Sequence, residues 1–177
     1  MMTALKDRLP STLTTARLVL AAPAMAHVSQ IAKLANNERV HRVMSRLPFP
    51  YSEKDARFFV EEIATKPEEK CFAIELDGAC IGVVGLRMDE DALPELGYWL
   101  GEPHWGQGFA TEAGRAVVDA ARAAGAAALR SRALLSNSGS RNVLKKLGFT
   151  EIGESMDKDG TLKGQAVVLM RLEFGER

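Results

Sequence analysis

Net charge is what this chain of 177 residues lacks most plainly, because 23 lysines and arginines balance 23 aspartates and glutamates. Without a long-range field to draw it to nucleic acid or anionic lipid, its expected partners are small molecules or proteins. Cysteine is scarce too, with Cys71 and Cys80 alone. A two-residue turn at Asp77-Gly78 would set Glu75, not Cys71, opposite Cys80, so both are read as reduced thiols. No apolar run approaches the ~20 residues of a membrane span, and the N-terminus has no stretch of signal-peptide length. A soluble, cytoplasmic protein with no membrane partner is the expectation. Cys/His clusters with metal-ligand spacing and Ser/His/Asp groupings are also missing, so no metal is expected.

Repeats, low-complexity tracts and internal linkers are absent as well, and 46% hydrophobic content suffices for one core. Residues 1–15 read as an N-terminal tail and 16–177 as a single domain. Residues 16–20 alternate as a first strand, and Pro23 then opens a helix over about 24–35. Ser52 and Asp55 form a capping-box pattern for a helix over 53–66, which Pro67 stops. Between these helices, residues 36–51 are rich in arginine, proline and aromatics and read as a loop over a site. Residues 71–76 and 81–88 pair as a hairpin, and 95–100 completes a meander. A helix over 109–124 ends at Gly125; a strand over 129–135, a helix over 138–147 and strands near 149–154 and 165–173 follow. This order predicts an α/β fold, a mixed twisted sheet of six to seven strands with four helices against it.

The most informative stretch runs from Glu95 through Gly106-Gln107-Gly108-Phe109-Ala110-Thr111, where a strand enters a glycine-rich turn that opens a helix. Gly106 and Gly108 permit positive φ and close approach of a ligand, and the first N–H groups of the helix have no partner within it. Such a turn binds anions, a pyrophosphate better than a carboxylate. It ends Gly-Phe-Ala-Thr, not in the Gly-Lys-Ser/Thr of a Walker loop, and Thr111 fills the third glycine place of a dinucleotide fingerprint. ATP and NAD are therefore disfavoured. The plain alternative is a tight strand-to-helix connection without a ligand.

Glu95-Leu-Gly-Tyr-Trp-Leu, the Trp105-Gly-Gln-Gly-Phe-Ala-Thr-Glu-Ala113 run, Asn137-Ser-Gly-Ser140 with Leu147-Gly-Phe149, and Arg17-Leu-Val-Leu20 together resemble the GNAT superfamily of N-acetyltransferases. Within it they are most similar to the branch that acetylates ribosomal-protein N-termini, the RimJ/RimL type. The family's Gly-x-Gly/Ala core falls on Gly106-Gln107-Gly108 or on Gly108-Phe109-Ala110; in the second alignment Trp105 replaces the usual Gln/Arg. The resemblance implies acetyl-coenzyme A as co-substrate and a primary amine as acceptor, either a protein N-terminus or a small molecule such as a polyamine or aminoglycoside. A module that binds the coenzyme without turnover is a third reading. Monomer and homodimer both stay open.

The same resemblance implies that the fourth and fifth strands splay and that pantetheine lies between them, bonded to main chain at Tyr98, Trp99 and Leu100. Pyrophosphate contacts carry over to Gly106, Gln107, Gly108, Ala110 and Thr111. For catalysis, Glu95 is read as the base, or else as a carboxylate partner for an arginine. Glu112 is the weaker choice, its first-turn place being explained by the helix dipole. An amide near Trp99 or Leu100 would hold the oxyanion. Some relatives protonate the thiolate with a tyrosine where this chain has Leu144, so Ser140 becomes the sulfur contact, with a helix N-cap as its alternative. Asn137 is a coenzyme contact or a turn residue. His27 is expected on a helix surface, and His104 shapes the turn. His41 either faces the acceptor or is structural.

Overall fold

The computed structural model describes residues 4–175. One turn of helix, α1 (Leu5–Arg8), leads into β1 (Thr12–Thr14), which pairs antiparallel with β2 (Leu18–Ala21). Residues 12–14 thus belong to the sheet, not to a tail; three residues with two threonines carry too short a pattern to show it. Residues 1–3 of the expected tail lie outside the described residues.

A 3₁₀ turn at Met25–His27 then starts α2 (Val28–Ala35), followed by a short α3 (Glu38–His41) inside the expected loop, where Asn37 caps the N–H groups of Arg39 and Val40. The predicted helix over 53–66 is α4 (Glu53–Phe58) capped by Ser52 and Asp55, continued by a π turn at Phe59–Ile63. After these come β3 (Glu69–Leu76), β4 (Ala79–Arg87), β5 (Glu95–Leu100), α5 (Phe109–Ala123), β6 (Ala128–Leu134), α6 (Ser138–Lys146), β7 (Thr150–Met156) and β8 (Ala166–Glu173). Eight strands form one sheet in the order β1-β2-β3-β4-β5-β6-β8-β7, antiparallel except between β5 and β6. That is one strand more than expected, and α1 and α3 are additions to the four helices.

Both faces of the sheet are covered, which is why residues 82–86 of β4 form a continuous apolar run. Phe109, Val117 and Leu144 of α5 and α6 bury against Leu20, Phe72 and Leu96 on one face. On the other, Ile31, Ala56 and Val60 of α2, α4 and the π turn meet Ala73, Val83 and Trp99. Full burial of a side chain such as Phe72 contributes about 2 to 3 kcal/mol. The hairpin turns at Asp77-Gly78 with Glu75 opposite Cys80, and both cysteines are free. His27, expected at the surface, is 7% exposed. Its Nδ1 accepts the Ala24 N–H and its Nε2 lies 3.0 Å from Glu75, a partner far away in sequence. Among the described residues no helix is long and apolar enough to cross a membrane.

Candidate active site

Strands β5 and β6 touch only at their beginning. Glu95 pairs with Arg130, the Arg130 N–H donates to Pro94 O at 2.9 Å, and Ser131 Oγ donates to Leu96 O at 2.7 Å. Beyond that point they part, and a cleft of about 1360 Å³ opens, lined by Tyr98, Leu100, Gly106, Thr111 and Ser140 among others. Gly101 N–H donates to Ile81 O at 2.9 Å, so by strand alternation the main-chain groups of Glu95, Gly97 and Trp99 point to β4. Those of Leu96, Tyr98 and Leu100 point to the gap. Leu100 O is already taken by Trp105 Nε1 at 2.8 Å, which leaves the N–H groups of Tyr98 and Leu100 facing the opening. Trp99 is corrected on this ground: its amide serves β4, and its ring packs in the helix-side core.

The glycine-rich turn sits at the far end of this cleft. Gly106 and Gly108 adopt φ of +73° and +82°, and Gly108 forms the N-cap of α5. Because the first bond into α5 is Glu112 N–H to Gly108 O at 3.0 Å, the N–H groups of Phe109, Ala110 and Thr111 have no helical partner. A Cβ on Gly106 would meet nothing within 4 Å, so open space lies beside the turn. Gln107 departs from expectation: its side chain donates back to Pro103 O at 3.2 Å, its carbonyl accepts from Arg17, and it does not line the cleft. Glu112 is held by Thr15 Oγ1 at 2.5 Å and by Arg17 N and Nε at 2.9 and 2.8 Å. Burial pushes its carboxyl up, but these hydrogen bonds and the Arg17 charge outweigh that and hold it below the usual range. It clamps the β1–β2 turn to α5.

Across the gap, Asn137 Oδ1 accepts the Ser140 N–H at 3.1 Å and so caps α6. The cap is Asn137, not Ser140, and the Ser140 hydroxyl is left free to meet Tyr98 Oη at 2.8 Å. Burial raises the Tyr98 phenol above its ordinary value, against a smaller lowering by Ser140. Leu144 is fully buried in the core and does not reach the cleft. Tyr98, expected only as a main-chain contact, thus brings its own hydroxyl. The 2-residue period of β5 carried that signal, since Tyr98 shares a face with Leu96 and Leu100 toward α5 and α6.

The opposite face of the sheet carries a row of alternating charge, Glu69, Arg87, Glu95 and Arg130, set in register across β3 to β6. Glu95 lies 3.5 Å from Arg130 and 3.6 Å from Arg132, so the arginine-partner alternative describes its contacts. Glu69, missed in the sequence because the strand was begun at Cys71, is 8% exposed and lines the same cleft. Desolvation raises its pKa, only partly offset by Arg46 at 3.9 Å. Above this row residues 44–47 and 157–164 meet. Thr161 N–H donates to Ser45 O at 3.2 Å, and a Cβ on Gly160, whose φ is +72°, would collide with that oxygen. His41 belongs to this roof: its Nδ1 lies 2.6 Å from Leu47 O and its ring stacks on Phe49. His104 ends a 3₁₀ turn before Trp105 and lines the cleft.

A family model described as an acetyltransferase (GNAT) domain matches residues 17–150. The uncharacterized N-acetyltransferase p20 of Bacillus licheniformis is 30% identical over 115 residues, an alignment covering 61% of this chain and 64% of that relative. The chain thus spans just under two thirds of the relative's length. Among solved structures, the microcin C7 self-immunity acetyltransferase MccE, in complex with acetyl-CoA and AMP, superposes with a TM-score of 0.81 at 20% identity, over 94% of this chain and 98% of that one. RimL, a ribosomal α-N-protein acetyltransferase in complex with coenzyme A, gives 0.82 at 18% identity, over 92% and 98%. RimJ of Mycobacterium smegmatis, in complex with CoA-disulfide, gives 0.82 at 20%, over 93% and 88%. At such identities these superpositions establish a shared fold.

Proposed function

This chain belongs to the acetyltransferase (GNAT) family, and from that premise we propose that it moves an acetyl group from acetyl-coenzyme A to a primary amine, preferentially the α-amine of a protein N-terminus. The observation that carries the acceptor is the pairing of Glu95 with Arg130 and Arg132. The two guanidinium groups compete for Glu95 with any incoming ammonium, so the site suits an amine that is already partly neutral. An α-amine titrates near pH ~8, a lysine-like amine near ~10.4; at pH 7.5 roughly a quarter of the former is neutral and about one in a thousand of the latter.

The residues fit the coenzyme. The N–H groups at Phe109, Ala110 and Thr111, with Gly106 leaving room and Gly108 turning the chain at φ +82°, would hold the pyrophosphate at the positive end of α5. Tyr98 and Leu100 would donate main-chain N–H groups to the pantetheine and to the developing oxyanion. Acetyl-coenzyme A supplies an activated acyl thioester. Ser140, backed by Tyr98, would donate a hydrogen bond to the departing sulfur, with water bringing the proton because both hydroxyls are weaker acids than a thiol. Glu95 would receive the amine's proton directly or through water. Positioning in the splay supplies much of the acceleration.

Release of free thiol from acetyl-coenzyme A, followed with unblocked peptides, a lysine side-chain mimic and a polyamine, tests this reading. Higher kcat/KM for peptides with a free α-amine is expected. A polyamine or lysine mimic outpacing every peptide would reassign the acceptor, and absence of coenzyme binding by calorimetry would refute the transfer reading.

A further inference from the structure

Behind Glu95 the acceptor face continues into a second cavity of about 590 Å³, lined by Arg46, Glu95, Arg132, Ile152, Met156 and Asp157 among others. It shares Arg46, Glu95 and Arg132 with the main cleft, and at its outer end Ile152 and Met156 of β7 are each 60% exposed. Nearly every charge on its sheet wall is matched. Arg87 Nε donates to Asp89 at 3.0 Å, Arg130 reaches Asp89 at 3.3 Å and Glu95 at 3.5 Å, and Arg132 joins Glu95 to Asp157 Oδ1. One group is left over. Asp157 is 8% exposed, and its second oxygen, Oδ2, is buried and accepts no hydrogen bond among the described residues.

A buried carboxylate oxygen without a donor points to a ligand that brings one. Two donors are chemically open, an ammonium or a neutral amide N–H. The walls decide between them: Arg87, Arg130 and Arg132 answer the carboxylates of Asp89, Glu95 and Asp157, so no excess of negative charge remains to hold a cation. We infer that this cavity is a peptide subsite, in which Asp157 Oδ2 accepts a main-chain N–H of an extended acceptor whose amino end lies beyond Glu95 in the splay. The strap of residues 157–164 and the Ser45 loop close over that chain, and the exposed edge at Ile152 and Met156 is where it leaves the protein. The inference rests on the acetyl-transfer reading and deepens it from the N-terminal amine to the main chain behind it.

Asp157→Asn keeps an oxygen for Arg132 and replaces Oδ2 with an N–H donor, so it should repel the peptide amide. The peptide KM should rise about tenfold or more, with kcat, the KM of a simple alkylamine and acetyl-coenzyme A affinity unchanged. In the unmodified protein, a peptide N-methylated at one of its first three amides should show the same rise, and D157N should add nothing to it. This second arm does not depend on the variant folding. A peptide KM that neither change moves, or turnover of the alkylamine but of no peptide, would overturn the subsite alone. Turnover of no acceptor at all would overturn the transfer reading beneath it.

Discussion

The hydroxyls of Tyr98 and Ser140 meet at 2.8 Å across the parting of β5 from α6, while Leu144, one turn further along α6, is buried in the core. Asn137 makes this arrangement available by capping α6 itself, which releases Ser140 for the contact.

Tyr98→Phe and Ser140→Ala should each lower kcat about ten- to hundredfold, the span of a lost hydrogen bond to a charged atom such as the departing sulfur. Because the two act as a unit, the double variant should lose little more than either alone. Acetyl-coenzyme A affinity should change by less than about threefold, since the anion-binding turn is untouched. Additive losses in steady-state kinetics would show the hydroxyls to be independent. Burial keeps the Tyr98 phenol above its ordinary value, so it stays protonated and no kinetic limb from it is expected between pH ~6 and ~9.

Glu69 and Glu95 share a face but differ in environment, and their amides should separate the two. Desolvation raises the folded pKa of Glu69 above its unfolded value, so the protonated side chain is the one the fold favours. Any stability from it is present at acid pH and lost as pH rises through the folded value. Glu69→Gln should therefore raise Tm at pH 7.5, with the gain vanishing below pH ~4.5. Glu95→Gln should lower Tm by breaking the links to Arg130 and Arg132, and cut kcat with peptide acceptors about tenfold. Thermal melts against pH and a kcat comparison decide both.

For Glu112 the sign reverses. Its folded pKa lies below the unfolded one, so its contribution is present above pH ~4.5 and lost as pH falls through the folded value. Arg17 is partly exposed, so Glu112→Gln should cost no more than about 1 kcal/mol at neutral pH. Thermal melts should register that loss while kcat stays within about twofold. A hundredfold drop in kcat would instead make Glu112 the base.

Both thiols and Tyr51 predict behaviour at high pH. Burial is the largest cause in each case: Cys71 is pushed up to about 12, Cys80 to about 11 and Tyr51 to about 12. Their neutral forms stabilise the fold fully below pH ~9, and that stability is lost as pH climbs through 11 and 12. Denaturant titrations at pH 8 and 10.5 should show it. A disulfide reagent at pH 7.5 should find no reactive thiol in the native protein and both after unfolding; rapid native labelling would contradict the burial.

What was legible in the sequence is what local chemistry dictates. Gly106 and Gly108 announced the strand-to-helix turn through their φ freedom, and the meander showed in its β-prone runs and the hairpin signal at Asp77-Gly78. The splay was read from family resemblance, and the single β5–β6 pairing at Glu95 agrees with it. Long-range partners were not legible. His27 is buried because Glu75 reaches it, Glu69 lies on a strand that begins earlier than its apolar run, and β1 is too short to carry a period. The choice between Asn137 and Ser140 as cap could not be read either, since both residue types cap helices.

The meeting of Gly160 with Ser45 has a further consequence. A single carbon added at Gly160 would prise apart two segments that lie more than a hundred positions distant along the polypeptide. The roof over the cleft is therefore a joint property: a redesign of one segment must bring a matching revision of the other, and swapping in either alone from a homologue should yield a misfitted hybrid.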